Sequence, residues 1–347
     1  MTESGFSSLQ IGVIIGEANH RGGLFVTRVG HLLILCSAII LVSCSGEVSD
    51  KPGPQDLRTT GPQGPKPQAL SVYTTNYPLA YFAERIGGEQ VEVVFPAPAD
   101  VDPAYWAPQP EMIAEYQAAD LILLNGAGYE KWIERASLPA GKLVDTSAAM
   151  ESSYLPLDEG VVHTHGPEGE HSHKGWVFTT WLDPMIAIAQ AQAIQEALSE
   201  LRPEAAADFR AAYEGLQADL LVLDAQLREV AADLGDRPIV FSHPVYQYLD
   251  EHVGMNGESV HWEPGEMPTE EMWEELETML QAHPAEIMVW EGEPLAEVES
   301  RLAGMGIASV VYNPCGNLPE SGDFGSVMLQ NLANLEAAVA PGGGNAE

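Results

Sequence analysis

The chain is poor in cysteine and in positive charge. It has 3 cysteines in 347 residues, and 15 Lys and Arg face 51 Asp and Glu, for a formal charge of −36. So acidic a surface repels phosphate backbones, so no nucleic-acid partner is expected. It draws cations only weakly and without specificity, and solubility accounts for it equally well. No apolar run is long enough to span a bilayer comfortably: Leu32 to Val42 is broken by Ser37 and is of the length of a signal h-region. Also missing are a nucleophile elbow, a phosphate-binding glycine loop and a His-Glu-x-x-His helix, which argues against an enzyme.

What is present begins with an export signal over residues 1–44. Arg21 and Arg28 supply positive charge before the apolar run, which ends in Leu41-Val42-Ser43-Cys44. That ending resembles a bacterial lipobox, with Cys44 as the lipidation site; the bland alternative is a signal-anchor helix with an incidental cysteine. Cleavage there removes Cys36 and leaves Cys315 as the one free thiol, so no intramolecular disulfide staples the exported fold. Residues 45–68 carry Pro52, Pro54, Pro62, Pro65 and Pro67 with no apolar periodicity, the composition of an extended tether. Residues 341–347 read as an unstructured tail.

Between them the sequence repeats itself. Strand-like Leu70 to Thr75, a helix from Pro78 to Ile86, a strand over Val91 to Phe95, a helix near Glu111 to Ala118 and the strand Asp120 to Asn125 form a first copy. A turn at Gly126 then leads into another helix. The second copy has a strand over Pro238 to Ser242, a helix from Pro244 to Val253, a helix to about Ala282, and the strand Glu286 to Glu291 turning at Gly292. Pro78 and Pro244, Gly88 and Gly254, Asp120 and Glu286, Gly126 and Gly292 correspond at one constant spacing. Short apolar strands alternating with helices predict an α/β protein of two pseudo-symmetric lobes, residues 69–183 and 236–340. Each is a mostly parallel sheet flanked by helices, with a crevice at the strands' carboxyl ends. Residues 184–235 are expected to be connecting helices: Pro184 after a capping Asp183 opens one to Leu201, and Pro203 opens a second to Leu234. In the second, Phe209, Tyr213, Leu216, Leu220, Leu223, Leu227 and Val230 recur at helical spacing, and about 30 residues make a rigid rod of ~45 Å.

Two groups of residues suggest chemistry. His163, His165, His171 and His173 crowd the loop 161–175, where two His-x-His pairs among glycines suit the capture of zinc or a neighbouring metal; a solvated polar loop is the plain alternative. In the crevice loops, His243 and Glu291 directly follow apolar strands, and with His261 they offer imidazole and carboxylate to a cation. Each of them alone reads equally as a cap or hydrogen-bond partner. Tyr105, Trp106, Trp181, Trp262, Trp290 and Asn313 line the same loops, either closing the interface between lobes or stacking on a metal chelate or small organic cation.

The lipobox, the strand-helix repeat, Gly126 followed by Tyr129 to Trp132, Trp181-Leu182-Asp183-Pro184 after a His-rich loop, the long helix and Ser242-His243 together resemble the metal-binding lipoproteins that serve zinc and manganese ABC transporters. The likeness runs from about Leu70 to Ala340. It implies an extracytoplasmic solute-binding protein, a monomer tethered through Cys44 in the cell envelope, on the outer face of the cytoplasmic membrane or in the periplasm. Such a protein carries Zn2+ or Mn2+ as cargo to an ABC transporter permease. A metal-buffering or adhesion lipoprotein with no transport role is the variant that neighbouring permease and ATPase genes would decide. The family's usual ligand positions fall here on Ala104, Thr179, His243 and Asn313, so His243 alone keeps its ligand type.

Overall fold

The computed structural model describes residues 68–157 and 175–340, with the backbone of 162–163 and 171–172. Residues 1–44, expected as a signal with Cys44, and nearly all of the expected tether lie outside the described residues, as do the expected tail, His165, His173 and the side chains of His163 and His171. The first sheet holds β1 (Leu70–Thr74), β2 (Val91–Val94), β3 (Leu121–Leu124) and β4 (Leu143–Asp145), in the order β2-β1-β3-β4 with every pair parallel. A two-stranded antiparallel pair, β5 (Val162–His163) and β6 (His171–Ser172), sets His163 opposite His171 along the backbone. The second sheet holds β7 (Pro238–Phe241), β8 (Asn256–Ser259), β9 (Ile287–Trp290) and β10 (Ala308–Val311), in the order β8-β7-β9-β10, again all parallel. The two sheets thus share one topology, and β3 and β9 stand at the spacing that separates Pro78 from Pro244.

The helices follow from local chemistry. α1 (Tyr77–Gly87) starts where the Asn76 side chain accepts from the Leu79 N–H, with Pro78 in its first turn. α2 is Pro110–Ala118, and α3 (Pro184–Leu201) is capped by Asp183, whose carboxylate accepts from the Met185 N–H at 2.7 Å. A short 3-10 turn at Pro203–Ala205 precedes the 29-residue α4 (Ala206–Leu234). The second lobe adds α5 (Gln247–Val253), α6 (Glu270–Ala282), α7 (Ala296–Gly304) and α8 (Phe324–Val339). α4 packs on α3 and α1 and also on α5 and α8, so this rod joins the two lobes. Its buried side, Phe209, Tyr213, Leu216, Leu220, Leu227 and Val230, is the stripe seen in sequence, with Leu223 partly buried beside it. No described helix is long and apolar enough to cross a membrane.

Two expectations change, and one strand is new. The helix expected after Gly126 is only a 3-10 turn, Lys131–Arg135. α5 begins at Gln247 rather than Pro244, because Val245 N–H closes a tight turn onto the His243 carbonyl first. β8, Asn-Gly-Glu-Ser in sequence, gave no strand signal; pairing with β7 makes it a strand, and Gly257 fits because a Cβ there would strike the Phe241 ring.

Candidate metal site

Parallel register brings the site together. Phe241 pairs with Ser259 on one side and Val289 on the other, and the ladder continues through Ser242 N–H to the Val289 carbonyl and Trp262 N–H to the Ser242 carbonyl. Two residues beyond that register, His243 emerges between His261 and Glu291 at the carboxyl edge of the sheet. The Nδ1 of His243 lies 3.2 Å from Glu291 Oε1, and its ring stands edge-on to His261 with centroids 5.8 Å apart. Glu263 adds a carboxylate 3.8 Å from Nε2 of the same ring. The His243 side chain is only 12% exposed. Burial pulls its pKa down, but the hydrogen bond and charge of Glu291, backed by Glu263 and Asp102, lift it above the ordinary histidine range.

The first lobe faces this edge with the loop Asp102–Trp106. The Asp102 carboxylate accepts from the Ala104 N–H, and its carbonyl accepts from those of Tyr105 and Trp106. Asn317 of the second lobe ties that loop down, donating to the Pro98 and Val101 carbonyls at 2.8 and 2.7 Å. Burial, together with the negative charges of Asp102, Glu291 and Glu263, pushes the Tyr105 phenol up to about 12, so Tyr105 and Asp102 share the field of the His243 cluster. The Lys131 ammonium sits over the Tyr105 ring at 5.4 Å. Among the described residues, no three His, Cys, Asp or Glu side chains stand close enough together to hold a metal ion.

Of the residues named from sequence, Glu291 reaches His243, and His261 stands edge-on to the same ring without completing a three-donor set. Tyr105 stays exposed and Trp106 partly so at the same cleft. Trp181, Trp262 and Trp290 are corrected: they are 4%, 2% and 1% exposed and belong to the cores. Trp262 packs edge-on against Trp273 at 4.6 Å and lies 6.2 Å from Trp290, while the Trp181 indole N–H donates to the Pro314 carbonyl. A strand-end tryptophan sits over its own sheet because that is where apolar area leaves water. Asn313 spends its side-chain oxygen on the Cys315 N–H. Thr179 likewise donates its hydroxyl to the Val245 carbonyl at 2.6 Å. Sequence reading put Glu263 and Asp102 in acidic crevice loops but gave neither a role at the site. Glu263 lies two residues past His261, a spacing that would have placed it once β8 was known to be a strand.

Residues 72–338 match the family described as the periplasmic component A of the zinc-uptake complex. The high-affinity zinc uptake system protein ZnuA of Bacillus subtilis is 26% identical over 324 residues, covering 89% of this chain and 97% of its own. The zinc-binding lipoprotein AdcA of Streptococcus pneumoniae is 26% identical over 326 residues, 89% of this chain but only 60% of AdcA. Among solved structures, the metal-dependent lipoprotein YcdH of Bacillus subtilis superposes with TM-score 0.66 at 24% identity, over 77% of this chain and 98% of that one. The Zn(II)-bound ZnuA-like domain of Streptococcus pneumoniae AdcA gives 0.65 at 20% identity, over 78% and 98%. A shared topology in both lobes, the α4 rod and a family match over most of the chain lead to one assignment: this protein belongs to the family of periplasmic zinc-uptake components.

Proposed function

We propose that the chain is the extracytoplasmic capture component of a metal uptake system. It takes a divalent transition metal, zinc before manganese, at the cleft edge of the second lobe and delivers it to an ABC transporter permease. Lipidation at Cys44 would hold it, as a monomer, at the outer face of the cytoplasmic membrane. It is a binding protein and not an enzyme. The observation that carries this reading is the His243–Glu291 pair, flanked by His261 and Glu263 at adjacent strand ends. One or two neutral imidazoles with one or two carboxylates are a donor set that zinc accepts at ~2.0–2.2 Å. The pair alone leaves coordination open, so the remaining donors would close in on binding, from Glu263, His261 or the His-rich loop with His163, His165, His171 and His173. A proton on His243 competes with the metal, so capture releases it. An aromatic cleft for a chelate has lost its tryptophan walls and keeps only Tyr105 and Trp106 at its rim.

Calorimetry with zinc on the exported form tests this. Binding tighter than about 1 µM is expected, weakened at least about tenfold by His243→Ala. Unchanged affinity in that variant would remove His243, and the proposed site with it.

A further inference from the structure

Away from the metal cleft, His252 near the end of α5 makes a second arrangement that the transport reading does not use. Its side chain is 6% exposed and both ring nitrogens face carboxylates. Nδ1 lies 3.0 Å from Asp183 Oδ1, and Nε2 lies 2.5 Å from Asp224 Oδ1. Asp183 is the residue that caps α3, and Asp224 belongs to α4, where Arg228 Nε donates to both its oxygens at 3.1 Å. One imidazole therefore touches both connecting helices from a helix of the second lobe.

Carboxylates accept only, so satisfying both contacts requires a hydrogen on each ring nitrogen, that is, an imidazolium. We propose that Asp183, His252 and Asp224 form a proton-held latch, which fastens α5 of the second lobe to both connecting helices and loosens when His252 loses a proton. Arg228, also on α4, stands with its Nη2 3.1 Å from His252 Nε2, so a neutral ring gives up its Nε2 proton to solvent and accepts from Arg228 instead of donating to Asp224. Nδ1–H still donates to Asp183, so deprotonation replaces the ionic tie to Asp224 by a weaker one and does not free the helix. Other charged groups near α5 are its own Asp250 and Glu251; burial and then Glu251 push the Asp250 carboxyl up to about 6. From the same helix Tyr248 accepts from the Leu155 N–H at 3.2 Å, a tie with no change of charge.

The electrostatics agree in sign. The Asp183 hydrogen bond raises the His252 pKa against burial, and Asp224 adds to it. Asp224 is held below the carboxylate range because its His252 and Arg228 bonds outweigh its burial. A histidine raised on folding stabilises fully below its unfolded pKa and loses that contribution as pH rises through the folded value. The latch is thus tightest in mild acid and loosens toward base.

Two measurements on the exported chain test it. The His252 ring signal, assigned by its loss in His252→Gln, is expected to titrate in proton NMR above a free histidine, and lower in Asp224→Asn. Hydrogen exchange, corrected for intrinsic rates, is expected to show α5 amide protection falling at least about threefold as pH rises through that midpoint, and staying flat in His252→Gln. Titration at or below the free value, or the same pH dependence in His252→Gln, would overturn the latch. Should His252→Gln fail to fold, the signal is assigned through the Asp224→Asn shift, and absence of that shift overturns it equally.

Discussion

The two lobes share a topology and spend it differently. Where β9 of the second lobe ends, Glu291 and Gly292 stay part-exposed. At the equivalent end of β3, Asn125 and Gly126 are sealed inside. Asn125 Oδ1 accepts from Asn76 and Gln190 at 3.1 Å and from Thr180 at 3.2 Å, and its Nδ2 donates to the Phe178 carbonyl at 2.8 Å. Its backbone N–H reaches Glu130, whose carboxyl also accepts from Thr75 and is pushed up to about 7 by burial. The residue matching His243 across the repeat is Tyr77, which is buried at the start of α1 and so has no place at the cleft. One strand end has become a buried polar hub that welds the first lobe to α3. The other has kept charged, part-exposed groups. The lesson is that an α/β crevice supplies positions, and burial decides whether they hold structure or ligand.

The largest effect that would break this comparison is expected at the hub. Asn125→Ala orphans several buried partners and should cost about 3 kcal/mol, read from urea midpoints. A loss below about 1 kcal/mol would show the hub to be ordinary packing. Gly126→Ala comes next, at about 2 kcal/mol in the same measurement. Gly126 has φ +83°, and a Cβ there would strike the Asp145 carboxylate and the Ser147 hydroxyl. Smaller in stability terms, Glu291→Ala should move unfolding by less than about 0.5 kcal/mol, since the pair is part-exposed. Zinc affinity in that variant should fall about tenfold by calorimetry, and a stability loss matching Asn125→Ala would erase the contrast between lobes. Least of all, Gly292→Ala should change stability by under about 0.5 kcal/mol, because its nearest neighbour is Pro264 at 3.8 Å and its φ is not positive. A Gly292 effect as large as that at Gly126 would mean the two turns are built alike after all.

Much of the scaffold was legible because its signals are local. Pro78, the Asp183-Pro184 cap and the apolar stripe of α4 announce themselves within a few residues. β4, β10, α7 and α8 went unnamed, and β8 was invisible, since Asn256–Ser259 becomes a strand only by pairing with β7. His243, His261 and Glu291 could be singled out because they follow, or neighbour, strand ends. The tryptophans misled because position in a loop or at a strand end does not say which way a ring turns.

The amino-acid order alone determined the repeat, the alternation of strand and helix and the rod between lobes, since periodicity and caps act over one or two turns of chain. Only the tertiary structure decided that Glu263 joins His243, that Trp181, Trp262 and Trp290 leave the cleft, and that His252 meets two carboxylates. Those outcomes depend on the register between β7, β8 and β9 and on helices brought together from distant segments. Burial and pairing at that range are properties of the packed whole, which no short window of sequence contains.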